Sequence, residues 1–304
     1  MSSIAIIINA CSINGDEETL AAKETLKDTL ARIFGRAGLT VNISLAATGA
    51  EISSLARQAV DGAAAIVVAG GGDGTVSTVA AEVVGTDKIL GVLPLGTLNH
   101  FAKDLNIPLP LEEAAATIMA GEVAKVDAAE VNGQVFINNS SLGLYPSIVH
   151  EREKHQRLGA GKWPAFVWAG IAVLRRYPFL DIRLSVHGNQ LALRTPFVFI
   201  GNNEYEMESL NVGARSSLSD GKLSLYVIHR TGRLGLLRLA LRALLGGLNR
   251  DRDFDALSAQ EIWIETKHRK LRVATDGEVS TLTPPLHYRI KPLSLNVLVP
   301  RTNQ

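Results

Sequence analysis

A single cysteine among 304 residues excludes an intramolecular disulfide and a cysteine-cluster zinc site, and it points to a reducing compartment. Basic excess is missing as well. The 31 Lys and Arg against 30 Asp and Glu leave a net charge of +1, unlike a protein that coats nucleic acid. No long apolar run occurs: the most apolar uncharged stretch, Trp163 to Leu174, falls well short of the ~20 residues a membrane-spanning helix needs. The opening Met1-Ser2-Ser3-Ile4 has no basic region or long apolar core of a signal peptide, and neither end carries a lipidation motif. The expectation is a soluble cytoplasmic protein, at most peripheral at the inner face of the membrane. The 27 glycines are scattered, which excludes collagen-like and low-complexity chains. Cys11 itself reads as a small buried hydrophobe.

What is present is globular: 46% hydrophobic and 20% charged residues, at a length that favours two domains. Up to about residue 124 the chain alternates between two periods. Ile4–Ile8, Gly38–Leu45, Ala63–Ala69 and Ile89–Leu93 read as strands, and Glu17–Arg36, Glu51–Val60 and a segment from Thr75 as helices. Near-continuous apolar strands in that order predict an α/β domain with a parallel sheet covered on both faces. After it the texture becomes short β-type segments, from Val126–Val131 to Lys270–Thr275, interrupted by helical insertions at about 150–177 and 231–248. This pattern predicts a mainly antiparallel β-sandwich over 125–289, with the last segment, 290–304, returning to the first domain as a strand.

The stretch that carries chemistry is Val67-Val68-Ala69-Gly70-Gly71-Gly72-Asp73-Gly74-Thr75, four glycines in the five positions 70–74 where an apolar strand ends and a helix begins. Such a loop brings free helix N–H groups to a strand end and suits a phosphate, with Thr75 placed to cap the helix. Neither familiar phosphate loop fits: no lysine lies nearby, and Ser77 stands where a dinucleotide fingerprint needs glycine. Asp73 among those amides repels phosphate unless a cation bridges them or the carboxylate handles a proton, and an ATP site requires both. From Thr40 to Ala102 five acidic residues face only Arg57 and Lys88, so phosphate recognition rests on amides and metal. A second loop, Pro94-Leu95-Gly96-Thr97-Leu98-Asn99, adds a hydroxyl and an amide at the next strand-to-helix junction.

Gly71-Gly72-Asp73-Gly74-Thr75 followed by Leu95-Gly96-Thr97-Leu98-Asn99-His100-Phe101-Ala102 resembles the diacylglycerol kinase catalytic domain family, which also includes sphingosine, ceramide and bacterial lipid kinases. Ile200-Gly201-Asn202-Asn203, Ser219-Asp220-Gly221-Lys222-Leu223 and Asp276-Gly277-Glu278 resemble three later motifs of that family, in the same order. Gly-Gly-Asp-Gly-Thr alone is shared with NAD kinases and loosely with phosphofructokinases. The resemblance spans nearly the whole chain. It implies an NAD kinase-like first domain and an ATP-dependent kinase that transfers the γ-phosphoryl group to a hydroxyl of a lipid such as diacylglycerol, phosphatidylglycerol or a sphingoid base.

With the character of the two loops, it implies an ATP site between the domains lined by Asn9, Ser12, Thr48, Gly70, Gly71, Gly72, Asp73, Gly74, Thr75, Thr97 and Asn99. By resemblance Asp276 accepts the hydroxyl proton, and a Mg²⁺ site takes the side chain of Asp220 and the carbonyls of Ser217 and Lys222. One departure stands out: the family's Asn-Pro-x-Ser-Gly opening is Asn9-Ala10-Cys11-Ser12-Ile13-Asn14-Gly15 here. The residues themselves allow Asp276 and Glu278 to be either a solvated hairpin turn or, with Asp73, a carboxylate cluster for Mg²⁺.

Two basic segments bear on where a lipid comes from. Between Val227 and Arg250 there are five arginines and no acid, and Lys154, Arg157, Lys162, Arg175 and Arg176 flank Trp163, Phe166 and Trp168. Interfacial helices on anionic lipid and arginine-capped core helices both fit these letters. His150-Glu151-Arg152-Glu153-Lys154-His155 mimics a zinc protease motif, but Lys154 fills the position where the second histidine belongs. Two rivals remain: an NAD kinase-like small-molecule kinase and a non-catalytic nucleotide-binding regulator. The oligomeric state, a homodimer included, is open.

Overall fold

Ile6, Ile7 and Ile8 are consecutive and all buried, which places strand β1 (Ser3–Asn9) in a sheet covered on both faces. The structure, a computed structural model, describes residues 3–12, 19–143, 179–205, 215–228 and 254–301. It has two units: Met1–Ala128 with Pro292–Gln304, and Ala129–Lys291.

In the first unit β1 is followed by helix α1 (Thr19–Arg36), strand β2 (Val41–Ala46), helix α2 (Gly49–Asp61), strand β3 (Ala64–Gly71), helix α3 (Asp73–Val83) and strand β4 (Ile89–Pro94). Helices α4 (His100–Asp104) and α5 (Leu111–Ala120) complete its helical part. The strands lie in the order β2-β1-β3-β4, all parallel. Chain order reverses between β1 and β3, so the loops at their carboxyl ends diverge and leave a crevice there. Asn296 and Val297 extend the sheet beyond β4, in parallel with Ile89 and Leu90. Helix α3 starts at Asp73, earlier than the Thr75 start read from the sequence, and Gly72 rather than Thr75 is its N-cap. Cys11 is exposed rather than buried, because the short 3₁₀ turn Ala10–Ser12 carries it out of the sheet.

Strands β5 (Glu122–Val131) and β16 (Leu286–Val299) each have residues in both units. On the first unit's side, the buried Asp127 accepts a 2.8 Å hydrogen bond from Leu293 N.

The second unit holds β6 (Gln134–Phe136), β7 (Asn139–Gly143), β8 (Leu180–Val186), β9 (Asn189–Thr195), β10 (Phe197–Asn202), β11 (Leu223–Ile228), β12 (Phe254–Ala259), β13 (Glu261–Thr266), β14 (Leu271–Thr275) and β15 (Glu278–Leu282). One antiparallel sheet runs β12-β11-β10-β7-β14-β15, and in the other β13 joins β8 to the first residues of β16. Leu142, Val198, Ile200, Leu225 and Val273 from the first meet Ile182, Leu184, Ile262, Ile264 and Tyr288 from the second in one buried core. The sequence read no strand at 139–143. Asn-Ser-Ser-Leu-Gly carries no β-branched residue, yet its pairing with both β10 and β14 makes it central. The insertions at 150–177 and 231–248, with their basic clusters, lie outside the described residues.

Candidate functional site

Two loops of the first unit pack back to back at the strand ends. A Cβ on Gly96 would stand 2.4 Å from Gly72 Cα, and one on Gly71 would stand 2.4 Å from Thr75 Oγ1. Leu95 N also donates to Gly71 O at 3.0 Å. Only glycine allows that approach, so the loop composition serves loop-to-loop packing as well as any ligand. The second loop is shaped from within by Asn99, left-handed at φ 52, whose Oδ1 accepts from Gly96 N and whose Nδ2 donates to Gly96 O at 2.8 Å. Its amide is thus turned onto its own loop. Thr97 is exposed beside it.

Asn9 joins the first loop across the crevice. Its Nδ2 donates to the hydroxyl of the buried Thr75 at 3.1 Å, and its Oδ1 accepts from Cys11 N. Thr48 is the N-cap of α2, accepting from Glu51 N at 3.2 Å. Cys11 Sγ donates to the neighbouring Ala47 O at 3.5 Å. The Ser12 side chain lies outside the described residues.

Asp73 occupies the first turn of α3, where the helix dipole favours a negative charge, and its Oδ1 also accepts from Phe101 N at 3.3 Å. One carboxylate therefore spans the starts of two helices. Gly72 gives α3 no side-chain cap, and a Cβ on Gly74 would meet nothing within 4 Å. A helix start with open space beside it and no capping side chain fits a phosphate group.

The second unit contributes a different geometry. Asp276 and Gly277 form the two-residue turn between β14 and β15, with φ 48 and φ 87. Positive φ at both positions gives the Asp-Gly hairpin its tight reversal. The Asp276 carboxylate bends back onto three successive backbone amides: Ile137 N at 2.8 Å, Asn138 N at 2.9 Å and Asn139 N at 2.9 Å. Asp276 N in turn donates to Asn139 O at 2.8 Å. Glu278, across the turn, is exposed.

The Asp220 turn is an ion-pair cluster. Lys222 Nζ lies 3.4 Å from Asp220 and 3.2 Å from Glu204. A hydrogen bond from Ser217, aided by Lys222, holds the Asp220 carboxyl below its ordinary range, and the bond to Glu204 raises Lys222. The Lys222 carbonyl accepts from Asn203 N at 3.0 Å. Carboxylate, hydroxyl and carbonyl oxygens are the donors a hard cation takes, so the set fits Mg²⁺ in kind. Lys222 already supplies a positive charge there, and a bound cation would compete with it. Among the described residues no group of three or more His, Cys, Asp or Glu is placed to hold a metal.

The sequence reading missed Arg215 and Asn138, both buried beside the Asp276 turn. A lone arginine and an Asn-Asn pair give no local signal, since their importance arises from strands far apart in the chain.

Comparison with known proteins accounts for both units. Residues 4–131 match the diacylglycerol kinase catalytic domain, and residues 144–299 match the YegS C-terminal NAD kinase beta sandwich-like domain. The chain is 26% identical over 272 residues to a Bacillus subtilis diacylglycerol kinase, covering 87% of this chain and 88% of that one. It is 34% identical over 159 residues to a Yersinia pestis protein named "Probable lipid kinase YegS-like", covering 51% of each. A crystal structure of a diacylglycerol kinase from Bacillus anthracis superposes with a TM-score of 0.69 at 20% identity, covering 98% of this chain and 97% of that one. Yeast NADH kinase superposes with a TM-score of 0.53 at 12% identity, covering 99% and 84%, which extends the likeness in fold. With both of its domains matched in order, the chain belongs to the diacylglycerol kinase family of lipid kinases.

Proposed function

We propose that this lipid kinase transfers the γ-phosphoryl group of ATP to the hydroxyl of a membrane lipid such as diacylglycerol, phosphatidylglycerol or a sphingoid base. The observation that carries this reading is the pair of interlocked glycine loops at the ends of β3 and β4, beside the uncapped start of α3. In the proposed roles, the amides of Gly71–Thr75 receive phosphate, and Asn9 fixes the loop through Thr75. Asp73 holds the starts of α3 and α4 together and presents negative charge toward a metal-bound nucleotide. Asp276 takes the acceptor hydroxyl's proton, with Glu278 adding charge at the same turn. Mg²⁺, when bound, would shield the phosphates, and Asp220, Ser217 and Lys222 are the residues assigned to a metal here. Thr48, Ser12, Thr97 and Asn99 complete the nucleotide side. Loop amides and a cation would stabilise the charge on the transferred group, so the chain itself needs to provide little beyond position and one proton acceptor.

No described helix is long and apolar enough to cross a membrane. The reading has the protein meet its substrate at the inner membrane surface, with the basic segments 150–177 and 230–250 as the contact. The test is incubation with labelled ATP and a total lipid extract, beside a parallel reaction with NAD. Label on a lipid, identified by mass spectrometry and abolished by Asp276→Ala in a folded protein, supports the proposal. Label on NAD alone, or ATP binding without any phosphorylated lipid, overturns it. Flotation with anionic and neutral liposomes tests the membrane contact separately, and no flotation with either rejects it.

A further inference from the structure

The three amides that hold Asp276 belong to a segment whose opposite side is also fully engaged. Ile137 O accepts from Asn202 Nδ2 at 2.8 Å and from Arg215 Nη1 at 2.7 Å. Asn138 O accepts from Asn202 N at 2.8 Å, and Asn138 Oδ1 from Arg215 Nη2 at 2.8 Å. Arg215 is 6% exposed, and its guanidinium also donates to Asn202 O and lies 5.5 Å over the Tyr205 ring. Arg215 is itself anchored, since its backbone bridges Tyr205 at the two ends of the segment between them.

One peptide group links the two charges. Its carbonyl, Ile137 C=O, receives the guanidinium, and its amide, Asn138 N–H, points at the Asp276 carboxylate. A cation on the carbonyl withdraws electron density from that peptide and strengthens its N–H as a donor. With Ile137 N–H and Asn139 N–H beside it, that donor fixes the direction of the carboxylate. Replacing the buried guanidinium would take its donor from Asn138 Oδ1 and leave Ile137 O to Asn202 Nδ2, loosening the segment that aims Asp276.

We propose that Arg215 is a positioning residue for the reaction, acting on Asp276 through the peptide groups of Ile137–Asn139. This rests on the role assigned to Asp276 under the proposed function. Arg215 touches no reacting atom in this scheme, and its effect passes wholly through the carboxylate.

A double-mutant cycle tests it, using the full chain with Arg215→Met, Asp276→Asn and both, and Arg215→Lys as the charge-retaining variant. Arg215→Met is expected to lower kcat about tenfold or more with KM for ATP within about twofold, because the nucleotide loops are untouched. Arg215→Lys recovers part of the loss. In the Asp276→Asn background, Arg215→Met costs less than about threefold further. In amide NMR spectra, the Asn138 proton moves upfield in Arg215→Met, as its hydrogen bond to the carboxylate weakens. Additive losses in kcat, or an unmoved Asn138 amide, overturn the positioning role while leaving Asp276 intact. Full activity in a folded Asp276→Asn overturns the assignment of Asp276, and the NMR shift then reports separately whether the linkage exists. Should Arg215→Met fail to fold, Arg215→Gln, which removes the charge and keeps a shorter neutral donor, is read by the same two measurements.

Discussion

Gly72 and Gly96 lie so close that a Cβ on Gly96 would stand 2.4 Å from the Cα of Gly72 and 2.9 Å from Asn99 Oδ1. Neither obstacle is the flexible end of a long side chain. Gly96→Ala therefore forces the two loops apart, at a cost of about 1–3 kcal/mol for overpacking. Kinase turnover should fall at least tenfold with a lowered thermal midpoint, measured by lipid phosphorylation and calorimetry on the same preparation.

Gly74→Ala separates ligand space from fold. With nothing within 4 Å of its Cβ, the variant should melt close to wild type. If phosphate approaches this backbone, KM for ATP rises about tenfold or more, equivalent to about 1.4 kcal/mol. An unchanged KM would place the phosphates elsewhere.

Asp73→Asn keeps an oxygen able to accept from Phe101 N, so the junction of α3 and α4 should hold. Turnover is expected to fall by about two orders of magnitude, on the scale of losing a key electrostatic group. A thermal transition that collapsed with activity would instead make Asp73 purely structural.

Much of the first unit was legible because buried parallel strands write continuous apolar runs, as Ile6–Ile8 and Val67–Ala69 do. The glycine loop announced itself by composition. What escaped was set by tertiary pairing. Thr75 looked like a helix cap, yet its hydroxyl is taken by Asn9, 66 residues away in sequence. Strand β7 has a sequence typical of a turn and is held by its neighbours on both sides. The Asp276 turn is visible as a sequence motif, whereas the amides that hold its carboxylate, 137 to 139 residues away in sequence, leave no trace that periodicity can read.

Glu130 provides a pH prediction. Burial raises its carboxyl, but the bonds to Arg289 and Lys291 outweigh that and hold it below its ordinary value. The pairs with Arg289 and, at 3.2 Å, Lys291 therefore stabilise the fold above the ordinary glutamate pKa, and that stability is lost as pH falls through the lower folded value. Glu130→Gln should cost roughly 1–3 kcal/mol at pH 7, the scale of hydrogen bonds to charged groups. Urea titrations at pH 7 and in acid should show the gap between wild type and variant closing below that range; a gap independent of pH contradicts the ion-pair account.

At the Asp220 turn, a divalent cation would compete with the Lys222 ammonium for one carboxylate. Asp220→Asn should weaken Mg²⁺ binding measured by isothermal titration in the absence of nucleotide about tenfold or more, and removing the metal with EDTA should then change the thermal midpoint less than in wild type. Equal Mg²⁺ affinity in wild type and variant would exclude this turn as the metal site.

The pairing of Asn296 and Val297 with Ile89 and Leu90 sets a timetable for the chain as it is made. When β4 leaves the ribosome, the strand that covers its open edge is still some two hundred residues from being synthesised. At about 5–20 residues per second, that wait lasts on the order of ten to forty seconds. Throughout it, an apolar parallel sheet presents an unpaired edge of the kind that invites aggregation. Nascent chains halted before Pro292 should accordingly depend on chaperones more than chains that include β16, and the glycine loops beside that edge should mature only once that later strand has been made.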